Sequence, residues 1–139
     1  MNLSSVRVIT TDVKRLVDFY TQVTGMTLTQ YTDDFAELRT SQATLAIGST
    51  RTLALFGGNN IAEAAANRSA IIEFKVDDVD DTYQQLADFL GNTVVQVPTT
   101  MPWGNRSLLF RDPDGNLVNF FTPLTKEAKE RATQQTTIV

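Results

Sequence analysis

Residues 5–25 read SVRVITTDVKRLVDFYTQVTG, and residues 71–91 read IIEFKVDDVDDTYQQLADFLG. Laid over one another, the two stretches place Asp12 on Asp78, Val13 on Val79 and Gly25 on Gly91. Each opens as a short alternating strand and then meets an aspartate. Its carboxylate can accept orphan N–H groups of a first helical turn, so Asp12 and Asp78 read as N-caps. Val13, Leu16, Val17 and Tyr20 then recur at helical spacing, as do Val79, Tyr83, Leu86, Ala87 and Leu90. Gly25 and Gly91 stand where a left-handed residue closes a helix. The chain therefore states one strand–helix unit twice.

Strand-like runs follow each helix, at 27–31, 35–39 and 44–47 in the first copy and at 93–97, 107–110 and 117–121 in the second. Asp112-Pro113-Asp114-Gly115 is a turn, with Pro presetting φ and Gly relieving the fourth position. It joins the last two runs as a hairpin. These pieces make an α+β chain of two βαβββ modules, about residues 1–57 and 68–124 of a single domain spanning 1–124. Residues 49–67 bridge them, and 52–56 reads as a further strand. The polar tail 125–139 can extend as a helix at 126–131 and should fray beyond it. A ferredoxin-like α+β sandwich uses similar pieces.

Composition narrows the chemistry. The 139 residues suit one domain, with 42% apolar and 20% charged content. There is no Cys, which excludes thiol catalysis, zinc–thiolate sites and disulfides. There is no His either, which excludes Ser–His and Cys–His dyads and every imidazole-bound metal. The net charge of −4 disfavours nucleic acid, which needs clustered Lys and Arg. No apolar run approaches a membrane span, and residues 1–10 lack the basic start and apolar stretch of a signal peptide. The expectation is a soluble cytoplasmic protein. The acidic clusters Asp33-Asp34 and Asp77-Asp78 with Asp80-Asp81 read as a hairpin turn and a helix start, without metal-loop spacing.

The run from Phe110 through Asp112-Pro113-Asp114-Gly115-Asn116 to Phe120 resembles the closing hairpin of the vicinal-oxygen-chelate (glyoxalase/bleomycin-resistance) superfamily. The likeness extends to the helix start at Val76–Asp80 and to the Asp12–Gly25 pattern, and so covers nearly the whole chain up to Pro123. It implies two βαβββ modules with curled mixed sheets around a shared cavity, usually in a homodimer. In metal-dependent members each module supplies one ligand from its first strand, usually His, seven residues before the capping Asp. Ser5 and Ile71 occupy those places. The other ligand, usually Glu, lies on the last strand. Its place is Asn119 in the second module, and Ala46 or Leu55 in the first. Hydrocarbon side chains cannot coordinate, and neutral Ser and Asn are weak donors. The resemblance therefore implies a member that has lost its metal, with no cofactor, closest to the bleomycin-resistance branch.

That branch binds a drug without protein-bound metal and does no chemistry on it. Pro102-Trp103-Gly104 matches its stacking tryptophan, so Trp103 is expected on a loop at the cavity mouth, against a flat ligand. A core or dimer-interface place for the ring is the alternative. Strand parity puts Ile72, Phe74 and Val76 under the helix and Ile71, Glu73 and Lys75 on the cavity face. By the repeat Ser5, Arg7 and Ile9 follow, and so do Leu117, Asn119 and Phe121. Glu73 suits a cationic or N–H-rich ligand, or else a salt bridge to Arg7. Arg106 and Arg111 suit an anionic ligand, or else pair with nearby acids. The leading expectation is a protein that sequesters a planar apolar small molecule, such as an antibiotic or toxic metabolite. A metal-independent enzyme using Glu73 as a base in an apolar cavity is the alternative. A module working through protein partners is the third.

Overall fold

The computed structural model of the protein describes residues 1–58 and 60–137. The chain forms two compact units, the first Met1–Arg68 with Pro113–Gly115, the second Ser69–Asp112 with the chain from Asn116 onward. In the first unit β1 (Val6–Thr10) leads to α1 (Val13–Thr24), β2 (Thr29–Thr32), β3 (Phe35–Arg39) and β4 (Thr44–Ser49). The sheet order is β1-β4-β3-β2, with β1 parallel to β4 and the other pairs antiparallel. Asp12 caps α1, its side chain accepting the Arg15 N–H at 3.1 Å. Gly25 ends the helix at φ +69° and donates its N–H to the Thr21 carbonyl.

The buried stripe of α1 is Val13, Leu16, Phe19, Tyr20 and Val23. Val17, expected on that stripe, is only half-buried, and Phe19 takes its place. The cross-strand pairs Ala36–Ile47 and Leu38–Leu45 are buried with this stripe. Each of the Val, Leu, Ile and Phe side chains among them contributes roughly 1.5–3 kcal/mol through burial.

The second unit repeats the order with β5 (Ile71–Lys75), α2 (Val79–Leu90), β6 (Val94–Thr100), β7 (Asn105–Arg111) and β8 (Leu117–Pro123). Its sheet runs β5-β8-β7-β6, again with the first and last strands parallel. Asp78 caps α2 by accepting the Asp81 N–H at 3.1 Å. Val79, Leu86 and Leu90 are its buried residues. Phe120 on β8 meets Phe74 and Phe110 edge to face, at 5.4 and 5.0 Å between centroids. The β7–β8 turn is closed by Asp112, which accepts from the Asn116 backbone at 3.0 Å and from its Nδ2 at 2.7 Å. At the tip, Asp114 belongs to the first unit, where its almost fully buried carboxylate accepts from Arg15 of α1 at 2.5 Å.

Two expectations are corrected. Residues 52–56 are not a strand: Thr50–Phe56 is a 3-10 helix in which only Leu53 is buried. The cause is local. Ser49 Oγ accepts the Arg51 N–H at 3.2 Å, and Thr52 Oγ1 donates to the Ser49 carbonyl at 2.7 Å, which turns the chain before it can extend. The tail helix α3 runs over Lys126–Thr137, beyond the expected 126–131. Thr125 starts it by accepting the Ala128 N–H at 3.1 Å, and Ala128 is buried. Residues 138 and 139 of the expected tail lie outside the described residues. No helix among the described residues is long and apolar enough to cross a membrane.

Candidate ligand-binding site

Parallel pairing sets side chains of β5 and β8 in rows on one face. Glu73 lies beside Asn119, Ile71 beside Leu117 and Lys75 beside Phe121. Ile72 and Phe74 alternate to the opposite face with Val118 and Phe120, which are buried. Burial follows the same alternation: Ile71, Glu73 and Lys75 are exposed, Ile72 and Phe74 half-buried. β7 continues the open face with Leu109 opposite Asn119 and Ser107 opposite Phe121.

At the centre of this face Asn119 Nδ2 donates to Glu73 Oε2 at 2.8 Å. Asn119 Oδ1 is closed to solvent and has no hydrogen-bond partner among the described residues. The pair therefore exposes a carboxylate, which accepts only, above an amide oxygen that is closed to solvent and keeps unused lone pairs.

Trp103 lies in the turn between β6 and β7 and is 58% exposed, which removes the core alternative for its ring. Backbone bonds fasten that turn. The Met101 N–H donates to the Asn105 carbonyl, and the Leu124 N–H donates to the Gly104 carbonyl. An Arg131 Nη2 donates to the Trp103 carbonyl. Gly104 has φ +94°, and a Cβ there would run into the Thr125 side chain.

The remaining expected residues fall in different places. Arg106 is on the helix side of β7, in the row of Thr122. Its Nε and Nη2 grip both carboxylate oxygens of Asp80 at 2.8 and 3.0 Å, and that hydrogen bond raises its pKa above the ordinary arginine value. Arg106 is thus the acid-paired residue of the two readings and lies on the opposite sheet face from Glu73. Ser5 precedes β1 and is exposed, while Ile71 opens β5. Arg7 is exposed on β1 beside Ala46, with its guanidinium over the Phe35 and Phe56 rings.

The register also settles the place left open between Ala46 and Leu55. Ala46 lies beside Arg7 as Asn119 lies beside Glu73, and Leu55 is on the 3-10 helix. The four metal-ligand places are therefore Ser5, Ala46, Ile71 and Asn119. Ser5 with Ala46 offers one hydroxyl and a hydrocarbon, and Asn119 with Ile71 one amide and a hydrocarbon, so neither unit supplies two strong donors for a divalent transition metal. No cluster of three or more His, Cys, Asp or Glu side chains suited to a metal occurs among the described residues. Sequence reasoning missed Phe35, Phe56 and an open cleft of about 500 Å³ lined by Thr50, Arg51, Leu53, Ala62, Glu63 and Ala64. Gly48, directly after the apolar run Leu45-Ala46-Ile47 of β4, was the available signal for a close approach at the Arg7 site.

Two βαβββ units, each an open four-stranded sheet with parallel first and last strands, define the glyoxalase-fold class of proteins. A model of the Glyoxalase/Bleomycin resistance protein/Dioxygenase superfamily matches residues 2–120, and the chain belongs to that superfamily. It is 27% identical over 128 residues to the uncharacterized protein YraH of Bacillus subtilis (strain 168), covering 89% of this chain and 100% of that one. A glyoxalase/bleomycin resistance protein/dioxygenase family enzyme from Burkholderia phytofirmans PsJN superposes with a TM-score of 0.77 at 19% identity, covering 89% of this chain and 100% of that one. A lactoylglutathione lyase from Agrobacterium tumefaciens superposes with a TM-score of 0.66 at 20% identity, covering 87% and 92%. At these identities the two structures share the fold alone.

Proposed function

We propose that this chain is a small-molecule-binding protein of the bleomycin-resistance-like kind. It sequesters a flat, largely apolar ligand bearing N–H donors or a positive charge, such as an antibiotic or another toxic metabolite. The observation that carries this is the Glu73–Asn119 pair. Asn119 uses its own donor on Glu73 and keeps a solvent-excluded oxygen unpaired among the described residues. A buried unpaired acceptor costs about 1–3 kcal/mol, which a ligand N–H would recover once the Asn119 amide turns to meet it. Phe121 in the next row offers an apolar surface, and Trp103 offers an exposed ring on a fastened turn. The ligand-place residues supply no Lewis acid, which favours binding over the metal-assisted chemistry of the superfamily. The protein acts in the cytoplasm as a homodimer.

The test is a thermal-shift screen of planar heteroaromatic amines and flat-chromophore peptide antibiotics. A ligand specific to the native state raises its melting temperature saturably. The rise should shrink in Glu73→Gln and Asn119→Ala, while Asn119→Ala without ligand stays near wild-type stability. A screen with no saturable hit, or hits indifferent to both substitutions, would sink the proposal. A released product instead of retained ligand would show an enzyme with Glu73 as its base.

A further inference from the structure

Arg7 is seated on the open face of the first sheet by three separate features. Gly48 is flanked in register by Ile9 on β1 and Phe35 on β3. A Cβ on Gly48 would come within 3.1 Å of Arg7 Cδ, so the glycine leaves the space that the Arg7 stem crosses. The guanidinium carbon then lies 4.8 Å from the Phe35 ring centroid and 5.5 Å from that of Phe56. Glu37, the carboxylate in the Arg7 row beyond Ala46, is engaged elsewhere: the Tyr31 hydroxyl donates to it at 2.8 Å. Among the described residues the Arg7 side chain has no ion pair or hydrogen bond.

A guanidinium held over ring faces with its N–H groups unused is a receptor for a planar anion. Its fork matches the two oxygens of a carboxylate. Phe56 is 62% exposed and Tyr31, stacked on Phe35, is 51% exposed, so flat apolar surface adjoins the cation. The negative charge of Glu37 nearby favours a monoanion over a dianionic phosphate. We propose that Arg7, Phe35 and Phe56 form a binding site for an aromatic carboxylate, whose carboxylate meets the Arg7 fork while its ring packs on the exposed phenyl surface. The site lies wholly within the first unit. It uses neither Glu73, Asn119 nor Trp103, so it stands or falls independently of the function proposed above.

The experiment titrates 1-naphthoate into the ¹⁵N-labelled full chain and follows the Arg7 Nε–Hε signal by NMR. Saturable shifts are expected with 1-naphthoate, much weaker ones with acetate, and none with the uncharged 1-naphthamide. Arg7→Gln should weaken binding by at least about tenfold, the loss expected for a charge-assisted hydrogen bond. Arg7→Lys should fail to restore it, because an ammonium lacks the planar fork. Phe56→Ala, at an exposed position, should weaken 1-naphthoate more than acetate while leaving the circular dichroism unchanged. Equal binding of naphthoate and naphthamide, wild-type affinity in Arg7→Gln, or displacement of naphthoate by equimolar inorganic phosphate would each overturn the proposal.

Discussion

Asp34 stands in the β2–β3 turn, where Ser49 Oγ donates to its carboxylate at 2.7 Å and Arg51 Nε at 2.6 Å. The Ser49 hydrogen bond first, and Arg51 second, hold its pKa below the ordinary aspartate value. A depressed folded-state pKa contributes stability that is present above the unfolded value and lost as pH falls through the folded one. The Asp34 contribution therefore disappears only in strongly acidic solution. A ¹³C NMR titration should place the Asp34 midpoint below those of solvated aspartates, and Ser49→Ala should move it upward. An unmoved midpoint would assign the shift to Arg51 alone. The other single residue that invites a test is Trp103, whose ring is exposed while its carbonyl is bound by Arg131. Trp103→Ala should weaken binding of a planar ligand by about 1–3 kcal/mol and leave the fold intact. As the sole Trp in the chain, its fluorescence should be quenched saturably by such a ligand. Unfolding of the variant, or emission unchanged by a confirmed ligand, would make the ring structural.

The elements most readable in the sequence were those whose signals are local. Both helices begin after the expected aspartates and stop before the expected glycines, because cap and period act within one turn; Gly25 closes α1 in the expected left-handed conformation, whereas Gly91, at φ +51° and ψ −127°, does not. Strand existence was also readable, and β3 matches residue for residue, but β4, β6, β7 and β8 run longer than expected. Their ends are set by pairing with distant partners, such as Asn105 with Pro123, which no local pattern reports. The 3-10 helix was missed for the opposite reason: its Thr-Leu-Ala-Leu-Phe run looks strand-like, and side-chain bonds at Ser49 and Thr52 override that. Of the site, parity located Glu73, Asn119 and Phe121 on one face, whereas the Arg106–Asp80 pair depended on contacts between β7 and α2. The β6–β7 turn gives the sharpest element-level test. Gly104→Ala would impose a side chain at φ +94° and drive it into Thr125. Destabilisation of about 1–3 kcal/mol is expected, read as a lower melting temperature. Wild-type stability in that variant would mean that the turn is not fastened as described.

For the molecule as a whole, the duplicated module is what the sequence stated most clearly, and the superfamily match over residues 2–120 agrees with it. The places expected to carry metal ligands hold Ser5 and Ala46 in one unit and Ile71 and Asn119 in the other, so neither unit offers two strong ligands. Elemental analysis after dialysis should read well below one transition metal per chain, and a stoichiometric metal lost on chelation together with an activity would overturn the metal-free reading. Assembly is the remaining property at this level. Each sheet is open, and β6, an edge strand, carries Val95 and Val97 at 52% exposure apiece. An exposed apolar edge invites pairing, and soluble proteins usually cover or charge it. A second copy of the chain can cover it symmetrically, as isologous dimers do. Light scattering should therefore give about twice the 15.4 kDa chain mass. Val97→Lys on that edge should shift the population toward monomer without lowering helix content. A wild-type monomer at high micromolar concentration would sink the dimer. A dimer indifferent to Val97→Lys would keep the assembly but move its interface away from β6.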